Sequence, residues 1–205
     1  MQILIRTDYS MALKIISGLA RGIMLDTPAD RSMRPTSGKG REALFSSLGD
    51  ISGKSFADIF AGSGAIGLEA ASRGAGKVTL LEAAPLHIKL IERNIAKLRK
   101  AGVECPIEAV RRKAMSGTLL ALGRHDIWFF DPPYAESSEY LKDFLASAAL
   151  LELWQNSLLI WELPDTTEAK AGFQQIKELN ELLDCTHKNL GNAEFLICHV
   201  KAGEK

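Results

Sequence analysis

Four consecutive residues, Asp131-Pro132-Pro133-Tyr134, end the apolar run Ile127-Trp128-Phe129-Phe130 and have the make-up needed to activate an amine. The exocyclic amine of a nucleobase is a poor nucleophile because its lone pair is delocalised into the ring, and acceptors pulling on both N–H bonds relocalise that pair. The Asp131 carboxylate and the Pro132 carbonyl can do this together. Pro132 and Pro133 fix the backbone in an extended shape and pre-aim that carbonyl. The Tyr134 ring offers a face on which an extracted base can stack. A methyl group carried on a sulfonium is already electrophilic, so this chemistry calls for no metal.

A second constellation speaks of a cofactor. The run Phe56–Ala61 leads into Gly62-Ser63-Gly64-Ala65-Ile66-Gly67, which fits G-x-G-x-x-G between a strand and a helix. The first glycine permits the tight turn, the second lets the backbone approach a ligand, and the third lets the helix pack closely on the sheet. Exposed N–H groups at the start of that helix suit a negative group. Glu82, 20 residues after Gly62 at the end of the next strand, is placed to accept from both ribose hydroxyls. Phe60, Ala61 and Ser63 flank the turn. Asp58 is either a buried loop-orienting carboxylate or a direct cofactor contact. An adenosine-type cofactor follows, and a nicotinamide dinucleotide and S-adenosylmethionine both satisfy the loop. The tetrapeptide decides for S-adenosylmethionine, leaving S-adenosylhomocysteine as product, because a nicotinamide oxidoreductase has no use for Asp131.

The elements that must position these residues show in the apolar periodicity. Runs at Phe56–Ala61, Val78–Glu82, Pro106–Val110, Ile127–Phe130 and Leu158–Leu163 alternate with amphipathic stretches, a β-α-β-α rhythm. Pro85 to Lys100 predicts a helix, with Pro85 in its first turn, Leu86, Leu90, Ile91, Ile95 and Leu98 on one face and Gly102 as its stop. Near-continuous apolar strands with helical crossovers imply an α/β fold, a mostly parallel sheet covered on both faces. Thr186–Leu190 and Phe195–Val200, joined by Gly191-Asn192-Ala193, predict an antiparallel edge hairpin. Residues 1–50 break the rhythm and read as an appendage: a small hairpin of Leu13–Ser17 and Gly22–Leu25, an Arg- and Pro-containing loop, and a helix from about Lys39 to Leu48. Residues 51–205 form the main domain.

With 205 residues, 46% hydrophobic residues and 3 Cys, the chain can bury a full core without disulfides or a structural metal. The odd and widely spaced Cys105, Cys185 and Cys198 indicate neither a disulfide framework nor a zinc site, so a reducing, cytoplasmic location is expected. No apolar run approaches the roughly 20 residues that cross a bilayer, Lys14 interrupts the only candidate signal sequence, and a monomer without membrane contact is expected. The net charge of zero is a cancellation: residues 1–125 carry a balance of +8 and residues 126–205 one of −8. That asymmetry predicts one surface facing a polyanion. Trp128, Trp154 and Trp161 lie in apolar stretches and are expected in the core. The dispersed His87, His125, His187 and His199 are expected in packing or surface roles. Asp165, Glu168, Glu178, Glu181 and Asp184 read as a solvated acidic face.

The motifs also occur in a recognisable order. Ile15-Ile16-Ser17-Gly18 with Arg21-Gly22, Arg34-Pro35-Thr36 with Arg41-Glu42-Ala43-Leu44-Phe45, Asp58 through Ala70 with Ser72-Arg73-Gly74-Ala75, and Asp131 to Tyr134 together resemble the bacterial 16S ribosomal RNA (guanine-N2)-methyltransferases. The resemblance runs from residue 13 to about residue 200. It implies the seven-stranded, Rossmann-like methyltransferase fold, S-adenosylmethionine as donor, and as partner a guanine of 16S RNA within an assembled or assembling 30S particle. Carried over by position, Gly62, Gly64 and Gly67 line the methionine end of the cofactor, Glu82 the ribose, and Asp131 to Tyr134 the target amine. Arg21, Arg34, Thr36 and Arg41 contact RNA phosphate or order the substrate loop, with a salt bridge to a local carboxylate as the alternative for Arg41. Phosphate contacts position RNA without reading its sequence.

Two segments depart from that pattern. Gly38-Lys39-Gly40 replaces a more regular helix entry, and Arg112-Lys113-Ala114-Met115 stands where an Asn or Asp usually meets adenine. Adenine recognition is then expected from backbone groups near Ala114 and from apolar packing by Ala83 or Met115. Two other readings stay open at the level of sequence: an amino-methyltransferase acting on adenine N6 or on tRNA, and a catalytically silent RNA binder of the same fold.

Overall fold

A computed structural model describes residues 13–28, 37–164, 173 and 181–201. In chain order the elements are α1 (Gly38–Leu48), β1 (Ser55–Ile59), α2 (Ala65–Ser72), β2 (Lys77–Glu82), α3 (Pro85–Lys100), β3 (Ile107–Arg111), α4 (Ser116–Leu122), β4 (Ile127–Phe130), a 3-10 turn (Tyr134–Glu136), α5 (Ser137–Leu145), α6 (Ala148–Leu153), β5 (Leu158–Leu163), β6 (Leu183–Leu190) and β7 (Ala193–Val200). They build one seven-stranded sheet in the order β3-β2-β1-β4-β5-β7-β6. The first five strands are parallel and β7 is antiparallel to both β5 and β6. The expected mixed α/β sheet with an antiparallel edge is thus the one observed, and β1 beside β4 marks the place where the winding direction reverses.

Each face of the sheet carries its own core. On one, Phe56, Phe129, Ile160 and Phe195 meet Leu44 and Phe45 of α1, Leu68 of α2 and Ile91 of α3. On the other, Trp128, Phe130 and Trp161 meet Phe144, Leu150 and Trp154 of α5, α6 and the turn after it. The three tryptophans are all buried, as their apolar surroundings predict. Two of the three buried indole N–H groups have acceptors: Trp161 Nε1 donates to Ser137 Oγ at 2.9 Å and Trp128 Nε1 to the His125 carbonyl at 3.2 Å, while Trp154 Nε1 has none among the described residues. His125 is itself core, its Nε2 3.0 Å from Thr79 Oγ1.

The amino-terminal segment forms the small hairpin expected: Ile15 N–H donates to the Ile23 carbonyl (3.0 Å), Gly22 N–H to the Ile15 carbonyl (2.9 Å) and Leu25 N–H to the Leu13 carbonyl (2.8 Å), with Lys14 opposite Met24. A buried pair of polar side chains on α2 holds it to the body of the protein. The Glu69 carboxylate accepts from Ile16 N–H (2.7 Å), Ser17 N–H (3.0 Å) and Arg73 Nε (2.7 Å). Ser72 Oγ donates to the Ser17 carbonyl (2.6 Å) and accepts from Ala20 N–H (2.9 Å). Leu13, Ile15, Ala20 and Leu25 join the core beneath. Gly18 makes the turn at φ +81°, and a Cβ there would lie 1.9 Å from the Ser72 carbonyl oxygen. Backbone on both sides leaves no room for relief, so Gly18→Ala is expected to destabilise the protein by about 2–4 kcal/mol, read from urea unfolding midpoints.

Two strand ends and one sulfur pair correct the sequence reading. The first strand stops at Ile59 rather than Ala61, because Phe60 adopts φ +70° and turns the chain out of the sheet. The edge hairpin is longer than expected and begins at Leu183. Its register sets Cys185 opposite Cys198, and the two form a disulfide across β6 and β7. The expectation of no disulfide fails because spacing cannot show which residues a hairpin register places side by side. Glu181 is exposed and Asp184 lies exposed on β6, as a solvated face requires, while Asp165, Glu168 and Glu178 lie outside the described residues.

Candidate functional site

The carboxyl ends of β1, β2, β3 and β4 open onto a cleft of about 580 Å³, at the reversal point where open α/β sheets bind ligands. The loop from β1 to α2 forms one wall. Asp58 sits at the fourth position of β1, buried, and its Oδ2 accepts from Gly67 N–H at 2.9 Å. It is therefore a loop-orienting carboxylate that also lines the cleft. Gly67 is required by close approach: a Cβ would lie 2.3 Å from Leu80 Cδ2 and 3.2 Å from Asp58 Cβ. Asn94 of α3, fully buried, donates to the Ser63 carbonyl at 3.0 Å and also grips the backbone of Asp26. The glycine loop and the amino-terminal segment thus share one anchor.

Glu82 ends β2 and spans the cleft mouth. Its Oε2 accepts from Gly62 N–H and its Oε1 from Ala84 N–H, both at 2.8 Å, so the carboxylate is fixed in orientation before any ligand arrives. Ala83, His87 and Ala114 complete this end, with Arg112 and Lys113 exposed beside them. Phe60 and Ala61 line the floor with Gly62 and Ser63. The Phe60 ring meets Tyr140 of α5 edge-on at 4.8 Å between centroids.

The opposite wall is Asp131 to Tyr134, all four lining the cleft. Asp131 continues β4 past its last ladder residue, its N–H donating to the Ile59 carbonyl at 3.4 Å. Pro132 is buried and Pro133, with φ −50° and ψ 130°, is extended before Tyr134 opens the 3-10 turn. Burial, then the neighbouring Glu162 and Asp58, raise the Asp131 carboxyl well above the ordinary carboxylate range. Burial likewise pushes Asp58 up to about 7, against the opposing hydrogen bond from Gly67, with Glu82 and Glu162 adding to the rise.

That shift has a stability consequence. A carboxyl whose folded pKa is raised supports the fold fully below its unfolded value and loses that support as pH climbs through the folded one. The Asp58 contribution is accordingly expected to fall between about pH 4 and about pH 7. Asp58→Asn keeps an acceptor for Gly67 N–H and removes the buried charge. Its melting temperature is expected to exceed that of the parent above pH 7 and to match it near pH 4, which thermal unfolding across that range measures.

The arginines predicted to meet RNA separate in space. Arg41 of α1 is 2% exposed, lines the cleft and donates from its Nη2 to the Lys14 carbonyl at 2.9 Å, and burial lowers its pKa. This position suits ordering of the adjoining segments. Arg21 is exposed on the Gly18–Gly22 turn and does not line the cleft. Arg34 and Thr36 lie outside the described residues. Sequence reasoning missed Tyr140 and His87, which line the cleft and lacked any local signal.

Comparison with known proteins follows the same geometry. Residues 13–198 match the family model described as conserved hypothetical protein 95. Over 147 residues the chain is 36% identical to the ribosomal RNA small subunit methyltransferase D of Escherichia coli (strain K12), covering 68% of this chain and 72% of that protein. The solved structure of yhhF from Escherichia coli superposes with a TM-score of 0.70 at 30% identity, over 93% of this chain and 99% of that one. The precorrin-6Y C5,15-methyltransferase of Geobacter metallireducens gives a TM-score of 0.60 at 17% identity, over 86% and 95%, a likeness of fold alone.

Proposed function

The chain belongs to the conserved hypothetical protein 95 family, and from that premise we propose that this methyltransferase modifies the exocyclic N2 amine of a guanine in 16S ribosomal RNA, with S-adenosylmethionine as donor and a cytoplasmic 30S particle as the setting. The observation that carries the reading is the fixed Asp131-Pro132-Pro133-Tyr134 wall facing the glycine loop across one cleft. The 36% identity to a ribosomal RNA small subunit methyltransferase supports RNA as the substrate class.

The residues present fit S-adenosylmethionine. A cleft of about 580 Å³ falls in the range that encloses a small-molecule cofactor. The pre-oriented Glu82 carboxylate suits a ribose diol, Ala83 and Ala114 suit an adenine ring, and the Gly62 to Gly67 turn suits the amino-acid end. When bound, this cofactor supplies an electrophilic methyl group on sulfur.

The protein's own part is to prepare the amine. The Asp131 carboxylate and the Pro132 carbonyl accept its two N–H bonds, which concentrates the lone pair on nitrogen. Tyr134 and the Phe60–Tyr140 pair offer aromatic surface to the extracted base. Residues 1–50, with Arg21 exposed, and the cations Arg112 and Lys113 at the cleft mouth serve the RNA backbone, where charge gives affinity without sequence reading.

The test offers labelled methyl donor in parallel to unmodified 30S subunits, naked 16S RNA, tRNA and duplex DNA, followed by digestion to nucleosides. Label in N2-methylguanosine from 30S subunits or 16S RNA is the expected result. Label in N6-methyladenine or in tRNA overturns the substrate, and RNA binding without transfer overturns the activity.

A further inference from the structure

We propose that the outer face of α3, with the turn from Gly18 to Gly22 at its far end, is a second RNA surface that holds the sugar–phosphate backbone of the substrate away from the cleft. The inference rests on the reading above, in which RNA is the substrate, and adds a docking face on which the target guanine does not sit.

α3 joins two parallel strands, so it starts where β2 ends, at the cleft, and runs back along the sheet. His87 in its first turn lines the cleft together with Arg112 and Lys113. The helix has 16 residues, and at a rise of 1.5 Å each it ends about 24 Å from there. Ile88, Leu90, Ile91, Asn94 and Leu98 form its buried side. Opposite them Lys89, Arg93, Lys97 and Lys100 fall within an arc of about 80°, with Glu92 at its margin. Lys89, Arg93 and Lys100 are exposed and Lys97 is half-buried.

Stability alone does not account for this face. Solvated helix faces gain from opposite charges at i, i+4, and like charges at that spacing cost stability. Lys89, Arg93 and Lys97 are three like charges in succession at that spacing. Asp26 relieves only the lower two, its carboxylate accepting from Arg93 Nε at 3.1 Å and from Lys97 Nζ. Among the described residues, Lys89 and Lys100 make no hydrogen bond or ion pair.

Three exposed large apolar side chains follow the same line. Leu86 (72% exposed) stands at the top of the face. Met24 (47%) lies beside Lys97, whose Nζ donates to its carbonyl at 3.0 Å. Leu19 (65%) lies at the bottom, its Cδ2 3.7 Å from where a Cβ on Gly102 would stand. The turn carrying Leu19 and the exposed Arg21 is pinned to α2, Leu19 N–H donating to the Ser72 carbonyl at 2.8 Å and Ala20 N–H to Ser72 Oγ at 2.9 Å. Cations interleaved with apolar groups, continuous with the cleft mouth, suit an RNA strand: the cations neutralise phosphates and release their counterions, and the apolar groups pack on sugar and base. Such contacts position RNA without reading its sequence, so the face supplies affinity and the cleft supplies the chemistry.

The test combines Lys89→Gln with Lys100→Gln in the full chain and titrates unmodified 30S subunits and naked 16S RNA across a range of salt. Affinity for both is expected to fall about tenfold at low salt, and the slope of log affinity against log salt to lose about 0.7–0.9 for each phosphate contact removed. KM for RNA should rise accordingly, with transfer at saturating RNA and affinity for S-adenosylmethionine unchanged. Lys89→Arg with Lys100→Arg, which keeps both charges, should restore the parent slope. Lys142→Gln on α5, packed on the other face of the sheet, controls for net charge. An unchanged slope and affinity in the Gln variant overturn the inference, as does an equal change per charge in Lys142→Gln. Weaker binding to 30S subunits with unchanged binding to 16S RNA assigns the face to a protein of the subunit and also overturns it. Because binding is read without methyl donor, failure of the proposed reaction shows separately, as absence of transfer by the parent protein.

Discussion

Asp131→Ala is expected to lower methyl transfer by roughly a hundredfold or more while leaving affinity for S-adenosylmethionine nearly unchanged. The substitution removes one of the two acceptors aimed at the amine and leaves Glu82 and the glycine turn untouched, since their hydrogen bonds do not involve Asp131. The fold does not depend on this charge, because Asp131 is a carboxyl whose burial disfavours ionisation. Removing it should raise the melting temperature at alkaline pH, where the parent carboxyl is ionised. Single-turnover transfer, calorimetric cofactor binding and thermal unfolding on the same preparation separate these effects. A parallel fall in cofactor affinity would contradict the role assigned to Asp131.

Glu82→Ala is expected to act on the other half of the reaction. Two backbone N–H groups, from Gly62 and Ala84, lose a charged acceptor, and the proposed ribose contact goes with them. Hydrogen bonds to charged groups contribute about 1.5–3 kcal/mol, so cofactor affinity should fall between about tenfold and a hundredfold. Calorimetric titration measures it, and unchanged affinity would remove Glu82 from the cofactor site. Transfer at saturating cofactor should fall far less than in Asp131→Ala, which makes the two variants a pair with opposite signatures.

The sheet, its edge and the two cleft walls were legible because each rests on local rules. Apolar runs of four to six residues between helical repeats leave little choice of strand, and a glycine triad or a double proline constrains the backbone where it stands. What escaped was set by contacts distant in sequence. Glu69 and Ser72 looked like ordinary helix residues, yet they hold Ile16, Ser17 and Ala20 from more than fifty positions away. Cys185 and Cys198 needed a register to become partners. Phe60 leaves the sheet through a left-handed backbone, which an apolar side chain gives no reason to expect.

β7 is the last of the described strands, yet it lies inside the sheet, between β5 and β6. During synthesis β1 to β4, with both cleft walls, emerge long before it, so a nascent chain holds the pieces of a cofactor cleft while β5 still has a bare edge. Phe195 is the residue that covers Glu162 from that side. The sheet is therefore completed by the hairpin of β6 and β7, and not by the strands whose ends carry the cleft walls.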